Sequence, residues 1–270
     1  MIQEFIKPQT VAEAVELKIK LKDEAVFIAG GTDVNCPHSK YEIEKVIGIQ
    51  QLNLNTIVKT PHELYIGSGV TIQELIDSPK TPDQLTTAAN HFINRNIRNI
   101  ATIGGNIATN HSTSNLIPIL VALDAELKVG GAATPVPVYE YVTQEMTRLI
   151  EGILISSENL AKKYDLRKFS RAANDVSIIT AAVTFNIQNE KLSNIRAAVG
   201  GVGKHVVRLT ELENKLEGNK LLALTEIEDT VKNTVAPVKD IRGGIQFKKY
   251  MAGVLIRDCI YYAQNRRGRN

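Results

Sequence analysis

Apolar positions along the chain recur at two spacings, helical in some stretches and strand-like in others, and the switches between them outline the elements. Over Gln9 to Lys22, Val11, Ala14, Val15, Leu17, Ile19 and Leu21 recur at roughly helical spacing, and Thr10 with Glu13 reads as a capping box, which predicts a first helix. Glu24 to Ala29 and Lys45 to Ile49 are short apolar runs separated by turn-prone Asn35, Pro37 and Ser39, as expected of two buried strands. These segments predict a compact β/α subdomain ending near Thr60. Beyond it, Glu63 to Gly69 reads as a strand, and Thr71 to Asp77 as a short helix with a hydroxyl cap, closed by Pro79 and Pro82. Asp83 to Asn96 and Asn115 to Leu123 read as helices, the second tolerating Pro118 in its first turn. Glu126 to Val129 and Leu149 to Ser156 complete a second sheet.

The pattern changes around Ser156 to Lys163, where polar residues suggest a surface linker. Asp165 to Ser170, Val176 to Gln188 and Asn194 to Val199 then read as consecutive strands, with turn signals at Asn174-Asp175 and Asn189-Glu190, which predicts a three-stranded antiparallel sheet. Helical patterns over Glu211 to Leu216, Leu221 to Val231 and Ile245 to Ala263 follow and are expected to pack on one face of it. The whole is an α+β arrangement. The predicted division is a first domain over 1–157, with subdomains of about 1–60 and 61–157, and a second over 163–265.

Composition changes this picture little. A length of 270 residues with 43% hydrophobic content suits about two domains with real cores, and 32 basic against 29 acidic residues are too balanced to imply nucleic acid or an anionic membrane as partner. Cys36 and Cys259 are the only cysteines, far apart, so the chain by itself cannot build a disulfide framework, a zinc site or an iron–sulfur centre. No targeting or membrane-spanning segment is visible, and a cytoplasmic location is expected. Arg266, Arg267 and Arg269 form a short basic end read as a solvated tail.

Candidate chemistry lies in two glycine-paired stretches. Ile97 to Asn115 is almost free of charge and places Gly104-Gly105 among small hydroxyl and amide side chains; Ala29-Gly30-Gly31-Thr32-Asp33 has the same character directly after an apolar run. Glycine lets main-chain N–H groups reach a ligand without a Cβ in the way, and successive N–H groups in a turn form an anion-binding concavity. Either loop alone is also what an ordinary turn after a strand looks like. Two of them suit a diphosphate, with the Gly104-Gly105 loop expected just before a helix N-terminus.

These stretches and several others resemble the FAD-binding (medium) subunit of molybdenum hydroxylases of the xanthine dehydrogenase and carbon monoxide dehydrogenase type. The matching pieces are F-I-K-P-Q-T-V-A-E-A-V-E-L from Phe5 to Leu17, A-G-G-T-D from Ala29 to Asp33, L-Y-I-G-S-G-V-T-I-Q-E-L from Leu64 to Leu75 and, most specific, I-R-N-x-A-T-I-G-G-N from Ile97 to Asn106. Arg171 with Asp175, R-A-A-V-G-G-V from Arg196 to Val202, L-E-G at Leu216 to Gly218 and D-I-R-G-G at Asp240 to Gly244 extend the likeness almost end to end.

The resemblance implies a PCMH-type (vanillyl-alcohol-oxidase-like) FAD-binding fold of two subdomains, then the family's C-terminal flavoprotein domain, with FAD between them. Ala29, Gly30, Gly31, Thr32 and Asp33 are then expected at the diphosphate and its ribityl and ribose neighbours, and Thr102, Gly104, Gly105, Asn106 and Thr109 on the opposite wall. Ile150 aligns with an apolar residue beside the flavin ring, and Arg167, with Lys168 adjacent, with a family lysine near it. Asn115 stands where the family has Asp, which removes a charged acceptor. His111 is read as a hydrogen-bonded surface residue, since flavin electron transfer needs no protein base. The Arg171–Asp175 spacing suits an ion pair at a strand start.

By resemblance, the partners are a molybdopterin-binding large subunit and a [2Fe-2S] small subunit, with electrons passing through FAD to NAD or another acceptor and a possible homodimer of the heterotrimer. Two alternatives stay open at this point. One is a flavin-poor structural or assembly subunit of the same fold. The other is a stand-alone FAD-dependent reductase like UDP-N-acetylenolpyruvoylglucosamine reductase.

Overall fold

A computed structural model describes residues 2–36, 43–92, 94–172 and 175–265. Pro37, Ser39, Asn174 and the arginines of the C-terminal tail, for which turns and a frayed end are expected, lie outside the described residues. The first unit contains β1 (Glu4–Ile6), α1 (Val11–Leu21), β2 (Ala25–Ile28) and β3 (Lys45–Gly48). Its sheet is parallel, in the order β1-β3-β2. A parallel pair needs a crossover, and α1 provides it between β1 and β2. Thr10 caps α1 by accepting from the Glu13 amide at 3.1 Å, while the Glu13 carboxylate reaches back to the amide of Gln9 at 2.7 Å, one residue before the cap. Ala14, Ala25 and Ile47 close a small core with Leu149 of the next unit.

The second unit begins with β4 (Ile57–Lys59), β5 (Glu63–Gly67), α2 (Ile72–Asp77), α3 (Asp83–Asn90), α4 (Arg95–Arg98), α5 (Ile103–Thr109) and α6 (Ile117–Ala122). It continues with β6 (Glu126–Val129), β7 (Val136–Pro137), α7 (Val138–Thr143), β8 (Ile150–Ser156) and α8 (Ser157–Ala161). The sheet is antiparallel in the order β4-β5-β8-β6-β7. All six residues of α6 are buried, so this apolar helix forms the centre of the largest core.

Three expectations change here for local reasons. The helix expected over Asp83 to Asn96 is split, because Asn94 is an N-cap whose side chain accepts from the Ile97 amide at 2.9 Å and starts α4 afresh. Gly104 and Gly105 lie inside the first turn of α5 and not in a loop before a helix, since Thr102 caps α5 by accepting from the Gly105 amide at 3.1 Å. The expected linker is the short helix α8, capped by Ser156, which accepts from the Asn159 amide at 3.2 Å.

The third unit contains β9 (Lys163–Phe169), β10 (Ile179–Gln188), β11 (Lys191–Gly200), β12 (Val207–Arg208), α9 (Thr210–Leu216), α10 (Leu224–Thr234) and α11 (Ile245–Asn265). Its antiparallel sheet runs β12-β11-β10-β9, the three expected strands joined by a two-residue fourth. Asn189 and Glu190 both take positive φ, the two-residue turn that matches strand twist in a hairpin. The two faces of β10 do different work. Ala181, Val183 and Phe185 face the core under α9, α10 and α11, while Ala182 packs against the second unit. On that same face Thr180 donates to the Ser114 carbonyl at 3.1 Å and Thr184 to the Ala122 carbonyl at 2.5 Å. The third unit is thereby fixed to the segment that leads into α6 and to the last residue of that helix. Among the described residues no helix is long and apolar enough to cross a membrane.

Candidate functional site

A cleft of about 710 Å³ collects residues from all three units. Its first wall is the turn after β2. Ala29, Gly30, Gly31, Thr32 and Asp33 all line it. Gly31 takes φ +68, a conformation L side chains rarely adopt, and the Asn35 amide and side chain both donate to its carbonyl at 3.0 Å, which closes the turn. Gln50 holds the strand end by donating to the Ala29 carbonyl at 2.7 Å. At Gly30 the first wall touches the second, for a Cβ there would lie 1.8 Å from the carbonyl oxygen of Ile100.

The second wall is the front of α5 and the segment after it. Thr102, Gly105, Asn106, Thr109, Thr113, Ser114 and Asn115 line the cleft. A Cβ on Gly105 would meet only the Thr102 hydroxyl, at 2.9 Å, and otherwise enter open cleft. Gly104 points the other way, where a Cβ would fall 2.4 Å from Ser68 Cβ; it lets α5 pack on the loop after β5 and does not line the cleft. Ser114 fixes the wall by donating to the Asn106 side-chain oxygen at 2.7 Å and accepting the amides of Leu116 and Ile117 at 3.2 and 3.1 Å.

The two walls meet at a side-chain contact as well. His111 Nε2 lies 2.7 Å from Asp33 Oδ1. The other carboxylate oxygen, Asp33 Oδ2, is buried with no hydrogen-bond partner among the described residues. A buried charged acceptor without a donor is costly, and here it belongs to a residue that lines the cleft.

Asn115 is held from two sides. Its amide donates to the His91 carbonyl at 3.1 Å, and its oxygen accepts from Ser177 at 2.6 Å. An aspartate could not make the first of these bonds, so the neutral residue fits this setting. Lys168 also donates to the His91 carbonyl, at 3.2 Å, and burial pushes its ammonium below the usual lysine range. Burial, and secondarily the Lys168 charge, lowers the His91 imidazole below its ordinary value.

Three further expected site residues stand off the cleft lining. Ile150 is buried in the core of the second unit. Arg167 bonds Asp165 at 2.8 Å and stacks 4.2 Å from the ring of Tyr262. Lys168 stays behind the wall, joined to it through His91. Sequence reasoning missed Phe92, Arg148, Val176, Ser177 and Arg242, which do line the cleft. Of these, only Arg242 lay in a segment already singled out, D-I-R-G-G.

Comparisons with known proteins agree along the length of the chain. Residues 1–158 match the FAD binding domain in molybdopterin dehydrogenase, and residues 164–263 match the CO dehydrogenase flavoprotein C-terminal domain. The protein YgfM of Escherichia coli (strain K12) is 34% identical over 96% of this chain and 95% of its own length. The carbon monoxide dehydrogenase medium chain of Hydrogenophaga pseudoflava is 25% identical, with 95% of each chain covered. A solved structure of carbon monoxide dehydrogenase from the same organism shares the fold, with a TM-score of 0.90 over 99% of both chains at 24% identity. The chain therefore belongs to the family of FAD-binding medium subunits of molybdenum hydroxylases, oxidoreductase components of the xanthine dehydrogenase and carbon monoxide dehydrogenase type.

Proposed function

We propose that the cleft holds FAD with its diphosphate between the two glycine turns. In this reading the chain takes electrons from [2Fe-2S] clusters of a small partner subunit and passes them to an acceptor such as NAD. The observation that carries the reading is the pairing of an open Cβ direction at Gly105 with an unpartnered buried carboxylate oxygen at Asp33 on the facing wall. One asks for close backbone approach by a ligand and the other for a ligand donor. The cleft volume also lies within the roughly 300–1,000 Å³ usual for cofactor sites.

When bound, FAD supplies the redox chemistry, accepting and releasing one or two electrons. The protein's residues bind and orient. Main-chain groups of Gly30, Gly31, Thr32 and Gly105 approach the diphosphate; Ala29, Thr102, Asn106 and Thr109 shape the walls around it; Asp33 accepts from a sugar or ribityl hydroxyl. Asn115, fixed by His91 and Ser177, bonds the ring half where the third unit closes the cleft. Gly104, Ile150, Arg167 and Lys168 serve this site from behind, through packing or charge.

The unit boundaries read as a FAD-binding domain over 1–157 and a flavoprotein domain over 163–265. The two cysteines cannot ligate a cluster, so the iron–sulfur centres belong to a small [2Fe-2S] partner subunit, and the family likeness assigns the molybdenum cofactor to a large molybdopterin-binding one. The absorption spectrum of the purified chain before and after adding FAD tests the proposal, with the released cofactor identified by mass. Flavin bands at about one per chain are expected. A colourless chain that takes up no FAD overturns the reading.

A further inference from the structure

A cation near the flavin ring is expected from the resemblance, yet Arg167 is spent on Asp165 and Tyr262 and Lys168 on a carbonyl behind the wall. The cleft lining includes three other cations. Lys18 donates to the carbonyls of Lys22 and Ala25 at 2.6 and 2.9 Å, and Arg148 to the carbonyl of Gly130 at 3.2 Å. Arg242 differs. It lines the cleft from the third unit, beside Val176 and Ser177 in that unit's contribution, and its guanidinium has neither hydrogen bond nor ion pair among the described residues.

The turn that presents Arg242 is unusually well held. Asp240 and Gly243 exchange main-chain hydrogen bonds of 3.2 Å in both directions, and the Asp240 carboxylate accepts the Arg242 amide at 2.8 Å. Beneath it, Lys248 is 3% exposed and donates to Asp240 Oδ2 and to the Val238 carbonyl, both at 2.9 Å. A buried ammonium bonded to one anchor of this two-residue tip, Asp240, and to Val238 in the segment leading into it fixes where that tip points. Lys248 and Arg242 both act on the Asp240 carboxyl, and the three together leave one net positive charge on the turn, whose guanidinium lines the cleft.

We infer that Arg242 is the cation that tunes the reduction potential of the bound flavin, and that Lys248, through Asp240, is a positioning residue for it. This rests on the FAD reading above. Reduction by two electrons with uptake of one proton leaves the ring system one negative charge richer. With the ring half beside the third unit, as the FAD reading places it, the Arg242 guanidinium favours that state over the oxidised one by Coulomb attraction, strengthened where solvent is displaced. The proposed diphosphate site lies between the two glycine turns and not at Arg242, so its removal is expected to leave cofactor retention in place.

The test uses the full chain loaded with FAD, with two readouts: flavin per protein after gel filtration, and the midpoint potential from a dithionite titration against reference dyes. Arg242→Ala is expected to keep its flavin and to shift the two-electron equilibrium toward oxidised by about tenfold, about 30 mV downward. Arg242→Lys should recover most of the shift. Lys248→Met should lower the potential in the parent and do little in the Arg242→Ala background, because it acts through the arginine. An unchanged potential in Arg242→Ala overturns the inference, and so does loss of flavin from that variant at saturating FAD, which would make Arg242 an affinity residue. An equal Lys248→Met shift in both backgrounds overturns the positioning role. A parent chain that takes up no FAD removes the FAD reading and this inference together, an outcome distinct from all of these.

Discussion

Gly30-Gly31 and Gly104-Gly105 look alike in the sequence, each a glycine pair followed by a small polar residue, yet the four glycines face four different surroundings. Gly30 is where the walls of the cleft touch, Gly31 makes a left-handed turn, Gly104 seats a helix on Ser68, and Gly105 alone opens into the cleft. Three of the four are needed to build the site and one to admit what it holds. The difference teaches that a glycine pair is a composite signal, in which architecture and ligand contact can sit on adjacent residues. Each substitution should therefore fail in its own way.

The largest effect is expected at Gly30. A Cβ 1.8 Å from a backbone oxygen cannot be accommodated by moving a flexible side chain, so Gly30→Ala must push the first turn away from the α4–α5 segment. A loss of roughly 3 kcal/mol or more is in the range of such core clashes. Thermal unfolding should show a drop of many degrees, and FAD uptake should fail together with it. A variant as stable as the parent would show that the two walls are not in contact.

Gly105→Val should separate binding from folding. Its Cβ presses only on the Thr102 hydroxyl, the α5 cap, which costs about 1 kcal/mol when lost. The branched side chain then fills the space a diphosphate needs. Flavin retention should disappear while the melting temperature falls by only a few degrees, read by calorimetry beside an absorption spectrum. Full flavin occupancy in this variant would remove the second wall from the proposed site.

How much of this could be read from the sequence follows from the same contrast. Segments governed by local chemistry were legible, such as α2, whose expected hydroxyl cap is Thr71, with Glu74 completing the box. The Thr102 cap was hidden because its partner is a glycine amide and no apolar periodicity marks a seven-residue helix. Arg167 and Ile150 were assigned by alignment with family positions, and an aligned position does not say which face of its strand a partner element of this chain covers. Arg167 meets Tyr262 of α11, nearly a hundred residues later, and Ile150 meets a core. Ser177 and Arg242 reach the cleft only because the third unit docks through Thr180 and Thr184, contacts with no signature in the linear sequence.

A smaller effect is expected where the walls differ in charge. The first presents Asp33 and the second no carboxylate, with His111 bridging them. Asp33→Ala removes an acceptor that has no protein donor for one oxygen, so stability should change little or rise. Binding should suffer instead. A hydrogen bond to a charged group is worth about 1.5–3 kcal/mol, which predicts a roughly 10- to 100-fold weaker FAD dissociation constant by fluorescence titration. An unchanged constant would mean that Asp33 faces away from the cofactor.

The smallest effect concerns the carbonyl behind the second wall, which Asn115 and Lys168 share. The imidazole of that residue, His91, is held below its ordinary value of 6.5, first by burial and then by the Lys168 charge. Above that value both folded and unfolded chains carry it neutral and its contribution to stability is complete. As pH falls, the unfolded chain takes up the proton first, and stability declines until the folded form is protonated too. The slope cannot exceed that of one proton, about 1.4 kcal/mol per pH unit. Denaturant unfolding between pH 7 and pH 5 should show this decline in the parent and a flatter one in His91→Gln, which keeps the carbonyl and loses the titrating ring. Equal slopes in the two proteins would place the acid sensitivity elsewhere. A steeper loss of FAD than of stability on acidification of the parent would show that the wall opens before the fold does.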